Sequence, residues 1–279
     1  MGLTGLLRNI NRLSIFSNSL EILEMKKLRY VALAVAAFGS VAAQAQSNVT
    51  VFGLLDVGYL NTRASGSGSV SSLNSDGNTS SRFGARGTED LGGGLAANFW
   101  LEAAIAPDSG VGGSTSTTNK DSVGSNGLTF GRRSTVGLAG GWGEVRLGRD
   151  YVPSFNNLTV AMHPFGTNGV GNAGQLFYPV NTGGTTVRTH VRASNSIGYL
   201  LPSNLGGFNG HIMYALGEQA SNAAGGTSKD GNHVGFRLGY AAGPLNAAFA
   251  SGKTNYATGD FTQTNFAANY AFGPAKLMY

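Results

Sequence analysis

From Val49 onward the apolar residues recur with a period of two, and no stretch beyond the first 45 residues sustains a period of 3.6. In residues 234–240 Val234, Phe236, Leu238 and Tyr240 share one parity, and Arg237 with Gly235 and Gly239 takes the other. Residues 208–216 set Phe208, Ile212, Tyr214 and Leu216 against Asn209, His211 and Met213. The same alternation separates Leu95, Ala97, Phe99 and Leu101 from Asn98, Trp100 and Glu102, and Phe266, Tyr270 and Phe272 from Asn265 and Asn269. Alternation of this kind is the signature of strands with one apolar face. It restricts the chain to an all-β architecture.

The connections narrow the choice further. Short turns rich in Gly or Pro fall at residues 91–94, 140–143, 202–207, 242–244 and 272–274. Longer polar loops fall at about residues 64–80, 106–126, 151–187, 218–232 and 254–260, and the two kinds alternate along the chain. A soluble sandwich has no reason to put every short turn at one end. A membrane barrel does, because its short turns lie on one side of the bilayer and its long loops on the other. Strands of about ten residues are long enough to cross a bilayer when tilted. The mean hydropathy of −0.04 is compatible with this, since lipid-facing and lumen-facing residues cancel in an average. The 44 glycines among 279 residues have no collagen period and fit many tight turns. The chain has no cysteine, which suits export through an oxidising compartment.

Residues 25–45 carry a different pattern. Lys26, Lys27 and Arg29 precede a short apolar run, and Ala43, Gln44 and Ala45 form a small-x-small cleavage site. This is a secretory signal peptide, too short for a stop-transfer helix, with cleavage expected after Ala45 to leave Gln46 first. Glu21 and Glu24 do not belong in a basic leader, so residues 1–24 are expected to be an extension upstream of a true start at Met25. Setting aside residues 1–45 removes five of the 19 basic and two of the 14 acidic residues, leaving 14 against 12. No basic run with interleaved aromatics suggests a nucleic-acid partner.

Three segments, residues 49–58 (VTVFGLLDVG), 81–102 (SRFGARGTEDLGGGLAANFWLE) and 130–151 (FGRRSTVGLAGGWGEVRLGRDY), resemble the general porins of Gram-negative outer membranes. So does residues 192–199 (RASNSIGY), and the resemblance extends over 46–279. It implies a transmembrane antiparallel β-barrel of about sixteen strands, a number in the porin range. It further implies a homotrimer in contact with outer-membrane lipid and lipopolysaccharide. This chain reads as ten strands and the start of an eleventh at residues 275–279, and is therefore expected to be truncated at its C-terminus.

The resemblance also assigns residues 151–187 to a loop that folds into the lumen and constricts it. The loop holds three prolines and no Lys, Arg, Asp or Glu, and its expected tip is His163, Pro164, Phe165 and Gly166. With Phe83, Ala85, Val136, Leu138, Val191 and Ala193 on the lipid-facing or packed parity, Arg82 and Arg86 face the lumen from one strand, Arg133 from another, and Arg188 with Arg192 from a third. Arg146 shares that parity. The resemblance places Arg82, Arg133 and Arg192 in a basic cluster opposite the loop. Asp56 and Glu102 have lumen parity and read as pore-lining acids. Asp150 lies only at the root of the loop, so the arginines are expected to stand unopposed at the constriction and to favour anions, because rings of fixed charge set selectivity in pores.

No catalytic constellation is legible. His163, His190, His211 and His233 lack metal-ligand spacing and read as ordinary polar positions. Thr88, Glu89 and Asp90 read as a solvated turn or an interstrand ion pair rather than a calcium site, and Gly92, Gly93 and Gly94 open a strand rather than a helix, so they form no phosphate loop. The expected function is passive diffusion of small hydrophilic solutes and inorganic anions, with no cofactor and no enzyme activity. The alternative is a barrel serving mainly as an adhesin or structural anchor.

Overall fold

The period-two segments become antiparallel strands in the structure, a computed structural model that describes residues 48–120, 127–161, 164–166, 169, 181–182, 185–222 and 227–278. The expectations for residues 1–24, the signal peptide with its Ala45–Gln46 cleavage site, His163, Tyr279 and most of residues 162–184 lie outside the described residues. The chain divides into two compact units, Met1–Gln46 and Ser47–Tyr279, and every described residue belongs to the second.

In chain order the strands are β1 (Asn48–Leu54), β2 (Val57–Ala64), β3 (Gly68–Ser75), β4 (Arg82–Gly92), β5 (Leu95–Ala106), β6 (Val111–Gly112), β7 (Arg133–Gly140) and β8 (Gly143–Tyr151). A short helix α1 (Pro153–Phe155) runs into a π-helical segment (Asn156–Ala161). Then come β9 (Asn181–Thr182), β10 (Thr185–Thr186), β11 (Arg192–Leu200), β12 (Phe208–Ala215), β13 (His233–Ala242), β14 (Leu245–Thr254), β15 (Phe261–Phe272) and β16 (Ala275–Met278). One sheet runs β1-β4-β5-β7-β8-β11-β12-β13-β14-β15-β16, with β6 paired to β5. Among the described residues this sheet is open, with β1 and β16 at its edges. The pairs β2-β3 and β9-β10 stand apart from it.

Two local readings change. Residues 49–58, the segment that resembles the first strand of the general porins, are not one strand, because β1 stops at Leu54 and the chain leaves the sheet. Asp56 makes that exit: its Oδ2 accepts the backbone N–H groups of Asn78 (2.8 Å) and Thr79 (2.6 Å), and its own N–H donates to Ser81 Oγ (2.9 Å). The Ser- and Gly-rich segment that follows is an ordered hairpin, β2-β3, paired in register from Val57–Ser75 to Ala64–Gly68.

Register gives the sheet two distinct faces. Phe99, Val136, Leu147, Ile197, Tyr214 and Val234 stand opposite one another from β5 to β13. Most of this row is open to the surroundings, Val136 at 58% and Val234 at 53%. A contiguous apolar band of this extent is a liability in water and the normal state of a surface in lipid. The adjacent row of opposite parity holds Trp100, Thr135, Gly148, Ser196, Ala215 and His233. The buried apolar cluster lies on this second face, where Val152 and Phe155 pack on Val191, Ala193, Met213 and Ala215. Helix α1 and the π-helical segment thus cover the polar-parity face of β12 to β15.

Gly148 sits beside an irregularity in this ladder. It has φ +123°, and a Cβ there would sit 2.1 Å from the Ser134 carbonyl oxygen. Beside it β11 carries a bulge between Ala193 and Ser196, with Asn195 at φ +57°. Gly148→Ala is expected to lower folding stability by at least about 1–3 kcal/mol, the cost of one strained backbone position. A denaturant midpoint in detergent micelles that matches the parent would contradict it.

Candidate functional site

On the polar-parity face β4 presents Arg82, Gly84 and Arg86, β5 presents Trp100 and Glu102, and β7 presents Arg133. Arg86 lies directly opposite Trp100, and Glu102 directly opposite Arg133. The Arg86 guanidinium stands 4.8 Å from the Trp100 ring centre and 5.6 Å from that of Phe52. Arg133 stands 4.5 Å from the same tryptophan. Guanidinium groups stack favourably on aromatic faces, so Trp100 holds two cations in place without neutralising either. Arg86, Trp100, Arg133, Glu144 and Arg146 line a groove of about 450 Å³.

The acids here are committed to particular arginines. Arg146 is forked between Glu144, with Nε at 2.9 Å from Oε1 and Nη2 at 2.8 Å from Oε2, and Asp150, with Nη1 at 2.7 Å from Oδ2. Asp150 Oδ1 also lies 3.5 Å from Arg133 Nε. Glu102 receives Arg132 Nε at 2.6 Å and the Trp100 indole N–H at 3.0 Å. The arginines are therefore not uniformly unopposed. Asp150, at the loop root, turns back along β8 onto its own i−4 neighbour Arg146 and across to Arg133. Arg82, Arg86, Arg149, Arg188 and Arg192 have no carboxylate partner among the described residues.

Arg188 does not sit on a strand with Arg192. It lies in the turn before β11, where its N–H donates to the Tyr256 hydroxyl at 3.2 Å. The bulge after Ala193 shifts the parity, so Val191 and Ala193 point into the buried cluster, while Arg192 stands opposite Tyr151. Arg192 stacks 4.5 Å from that ring and donates Nη2 to its hydroxyl at 3.0 Å. Of the loop tip, Pro164 and Phe165 are exposed and Gly166 is half-buried. Asp56 is occupied as a backbone acceptor beside β2 and does not share the arginine wall.

Two arginines absent from the sequence reading enter the site. Arg132 closes on Glu102, and Arg149 donates Nε to the Gly131 carbonyl (2.7 Å) and Nη1 to Ser194 Oγ (2.9 Å). Among the histidines, His211 and His233 are buried in the wall, and His233 shares a hydrogen bond with Thr254 Oγ1 at 2.8 Å. His190 lies beside Arg188 and Arg192; burial depresses its pKa, a hydrogen bond to the Val187 carbonyl partly restores it, and the two guanidiniums lower it again. No metal-binding cluster occurs among the described residues.

Comparison with known proteins agrees with this geometry. Residues 32–279 match the family described as Gram-negative porin. The chain is 41% identical over 259 residues to outer membrane porin protein 32 of Delftia acidovorans, covering 91% of this chain and 68% of that protein. An outer membrane porin protein of Bordetella pertussis is 31% identical over 288 residues, with the same shares of 91% and 68%. Among solved structures, the anion-selective porin from Comamonas acidovorans superposes with a TM-score of 0.67 at 39% identity, over 84% of this chain and 66% of that one. The chain thus spans about two thirds of the length of the relatives it matches. An open antiparallel sheet with an apolar outer band, an arginine-bearing polar face and these relatives together place the chain in the Gram-negative porin family of the outer membrane.

Proposed function

We propose that the protein forms a water-filled channel for passive diffusion of small hydrophilic solutes and inorganic ions, and that it prefers anions. The observation that carries this is the distribution of partners on the polar-parity face: the nearby acids are spent on Arg132, Arg133 and Arg146, while Arg82 and Arg86 keep their charge without a carboxylate among the described residues. The resemblance to a porin described as anion-selective supports the same sign. Residues 151–187 act as the constriction in this reading, with α1 as its root on the wall. A homotrimer in contact with lipopolysaccharide is the assembly proposed, by analogy with the family. Selection is by size and by electrostatics, and no step requires a cofactor or a catalytic group.

The test is the reversal potential of the reconstituted protein across a planar bilayer in a KCl gradient. An anion-favouring sign is expected, and a cation-favouring sign rejects the proposal. A chain that inserts without conductance would support the adhesin or anchor role instead. Low-dielectric walls of one charge sign raise the local counter-ion concentration about tenfold or more. Arg82→Ala combined with Arg133→Ala is therefore expected to lower the chloride-to-potassium permeability ratio several-fold, and an unchanged ratio would remove these two residues from the selectivity wall.

A further inference from the structure

A cavity of about 310 Å³ lies between the segment 113–116 and the turn 188–191, and four arginines line it: Arg132, Arg149, Arg188 and Arg192. Ser116 and His190 line it too, and no Asp or Glu does among the described residues. Among the described residues only Arg132 has a carboxylate partner, Glu102. Arg149 is held by neutral acceptors, and Arg192 by a phenol hydroxyl and its ring. Among the described residues, three polar atoms at this cavity are buried without a hydrogen-bond partner: Arg188 Nε, Arg192 Nε and Ser116 Oγ. Buried donors are normally paired, and buried cations are normally neutralised. Here several half-buried like charges converge, with buried donor atoms unspent.

We propose that this cavity is a discrete binding site for a phosphate-class oxyanion, held by the guanidiniums of Arg188, Arg192 and Arg149 with the Ser116 hydroxyl. The chemistry selects the ligand class. Guanidinium forks match the paired oxygens of phosphate, and charge-assisted bonds of this kind are short and strong. A tetrahedral dianion has acceptors on every side and can meet donors arriving from β8, from the turn before β11 and from the segment 113–116 at once. A chloride ion has too little charge, and a single carboxylate saturates one fork. The volume is at the small end of ligand sites, which suits a small oxyanion with a few waters. The site deepens the anion-preferring reading above and rests on it only for the route by which the anion arrives. It gives the protein a saturable anion site, which free diffusion lacks.

The experiment is calorimetric titration of the folded protein in detergent with inorganic phosphate at low ionic strength, repeated with chloride. Saturable binding of one phosphate per chain is expected, with chloride ineffective at the same concentrations. Arg188→Gln should weaken it by about 10- to 100-fold, the range a charge-assisted hydrogen bond carries. Arg188→Lys should restore only part of the loss, since it returns the charge without the fork. Ser116→Ala serves as the milder variant, with a loss of about threefold to tenfold for one neutral hydrogen bond. Lys253→Gln, on a surface ion pair with Asp260, should bind as the parent does. No saturable phosphate heat, equal competition by chloride, or folded Arg188→Gln and Ser116→Ala variants with parental affinity would each overturn the site. If phosphate binding is absent while the reversal potential still favours anions, the cavity proposal falls and the channel reading stands. If phosphate binds while the potential favours cations, the cavity stands without the selectivity.

Discussion

Asp150→Ala is expected to destabilise the folded protein by about 3–5 kcal/mol and, in the same molecule, to strengthen anion preference. Asp150 is 4% exposed and serves three donors: Arg146 Nη1 at 2.7 Å, Arg133 Nε at 3.5 Å and the Tyr151 N–H at 2.8 Å. Removing one member of a buried pair costs that much because the remaining charge stays desolvated without its partner. Arg146 would still have Glu144, so the larger part of the loss falls on Arg133, left with Thr135 Oγ1 at 3.3 Å and the face of Trp100. Asp150→Asn keeps the shape and one acceptor and should lie between the two. Denaturant midpoints of the detergent-folded variants, read beside their reversal potentials in a KCl gradient, check both halves. A loss below about 1 kcal/mol, the value of a solvated ion pair, would show Asp150 to be a freely hydrated lumen charge.

The opposite signs of those two effects express a general tension in this wall. The carboxylates that hold the arginines in position also cancel part of the field that the arginines produce. Trp100 relieves the tension by gripping Arg86 and Arg133 through its ring while adding no charge. Tyr151 does the same for Arg192. Aromatic support of this kind lets a wall be both ordered and positive.

Alternation made the strands, their faces and the membrane setting legible, because a side-chain period of two survives any detail of turn geometry. Arg82, Arg86, Arg133 and Arg146 could be placed on one face by parity alone. Where the parity rule breaks, the reading broke with it. The bulge between Ala193 and Ser196 inserts an offset that no hydrophobic pattern reports, and it separates Arg188 and Arg192 from their expected orientation. Its only trace in the sequence is Asn195, one of the residue types that tolerate a left-handed backbone. Arg149 shares the parity of Leu147, so alternation alone assigns it to the apolar face. Arg132 stands just ahead of β7, beyond the reach of the alternation, where a bond from its N–H to the Glu102 carbonyl at 3.0 Å fixes it. The committed state of Asp150 and Glu102 was illegible for a different reason: ion pairing across strands depends on register, and register is a three-dimensional fact.

Asn157→Ala is expected to cost about 2–4 kcal/mol and to enlarge and destabilise the single-channel current. Asn157 is fully buried at the start of the π-helical segment, and every polar atom of its side chain is used. Its Nδ2 donates to Asn265 Oδ1 at 2.8 Å and to the Ala248 carbonyl at 3.3 Å, and its Oδ1 accepts Arg237 Nε at 3.0 Å. One side chain thus joins the root of the proposed constriction to β13, β14 and β15. Truncation orphans a carbonyl, an amide oxygen and a guanidinium donor, each costing about 1–3 kcal/mol where water cannot replace the lost partner, with part recovered by relaxation. Two further bonds remain, Ser154 Oγ to Gln263 at 2.7 Å and Asn265 Nδ2 to the Ser154 carbonyl at 3.0 Å. The loop root would therefore loosen without detaching. Asn157→Asp should rescue in part, since a carboxylate keeps the Arg237 contact but faces the Ala248 carbonyl and Asn265 Oδ1 without a proton to give. Unchanged conductance together with parental stability in Asn157→Ala would show that the loop is held elsewhere. Lost stability with unchanged conductance would separate the anchor from the constriction, and the proposal that residues 151–187 narrow the channel would fail on that result.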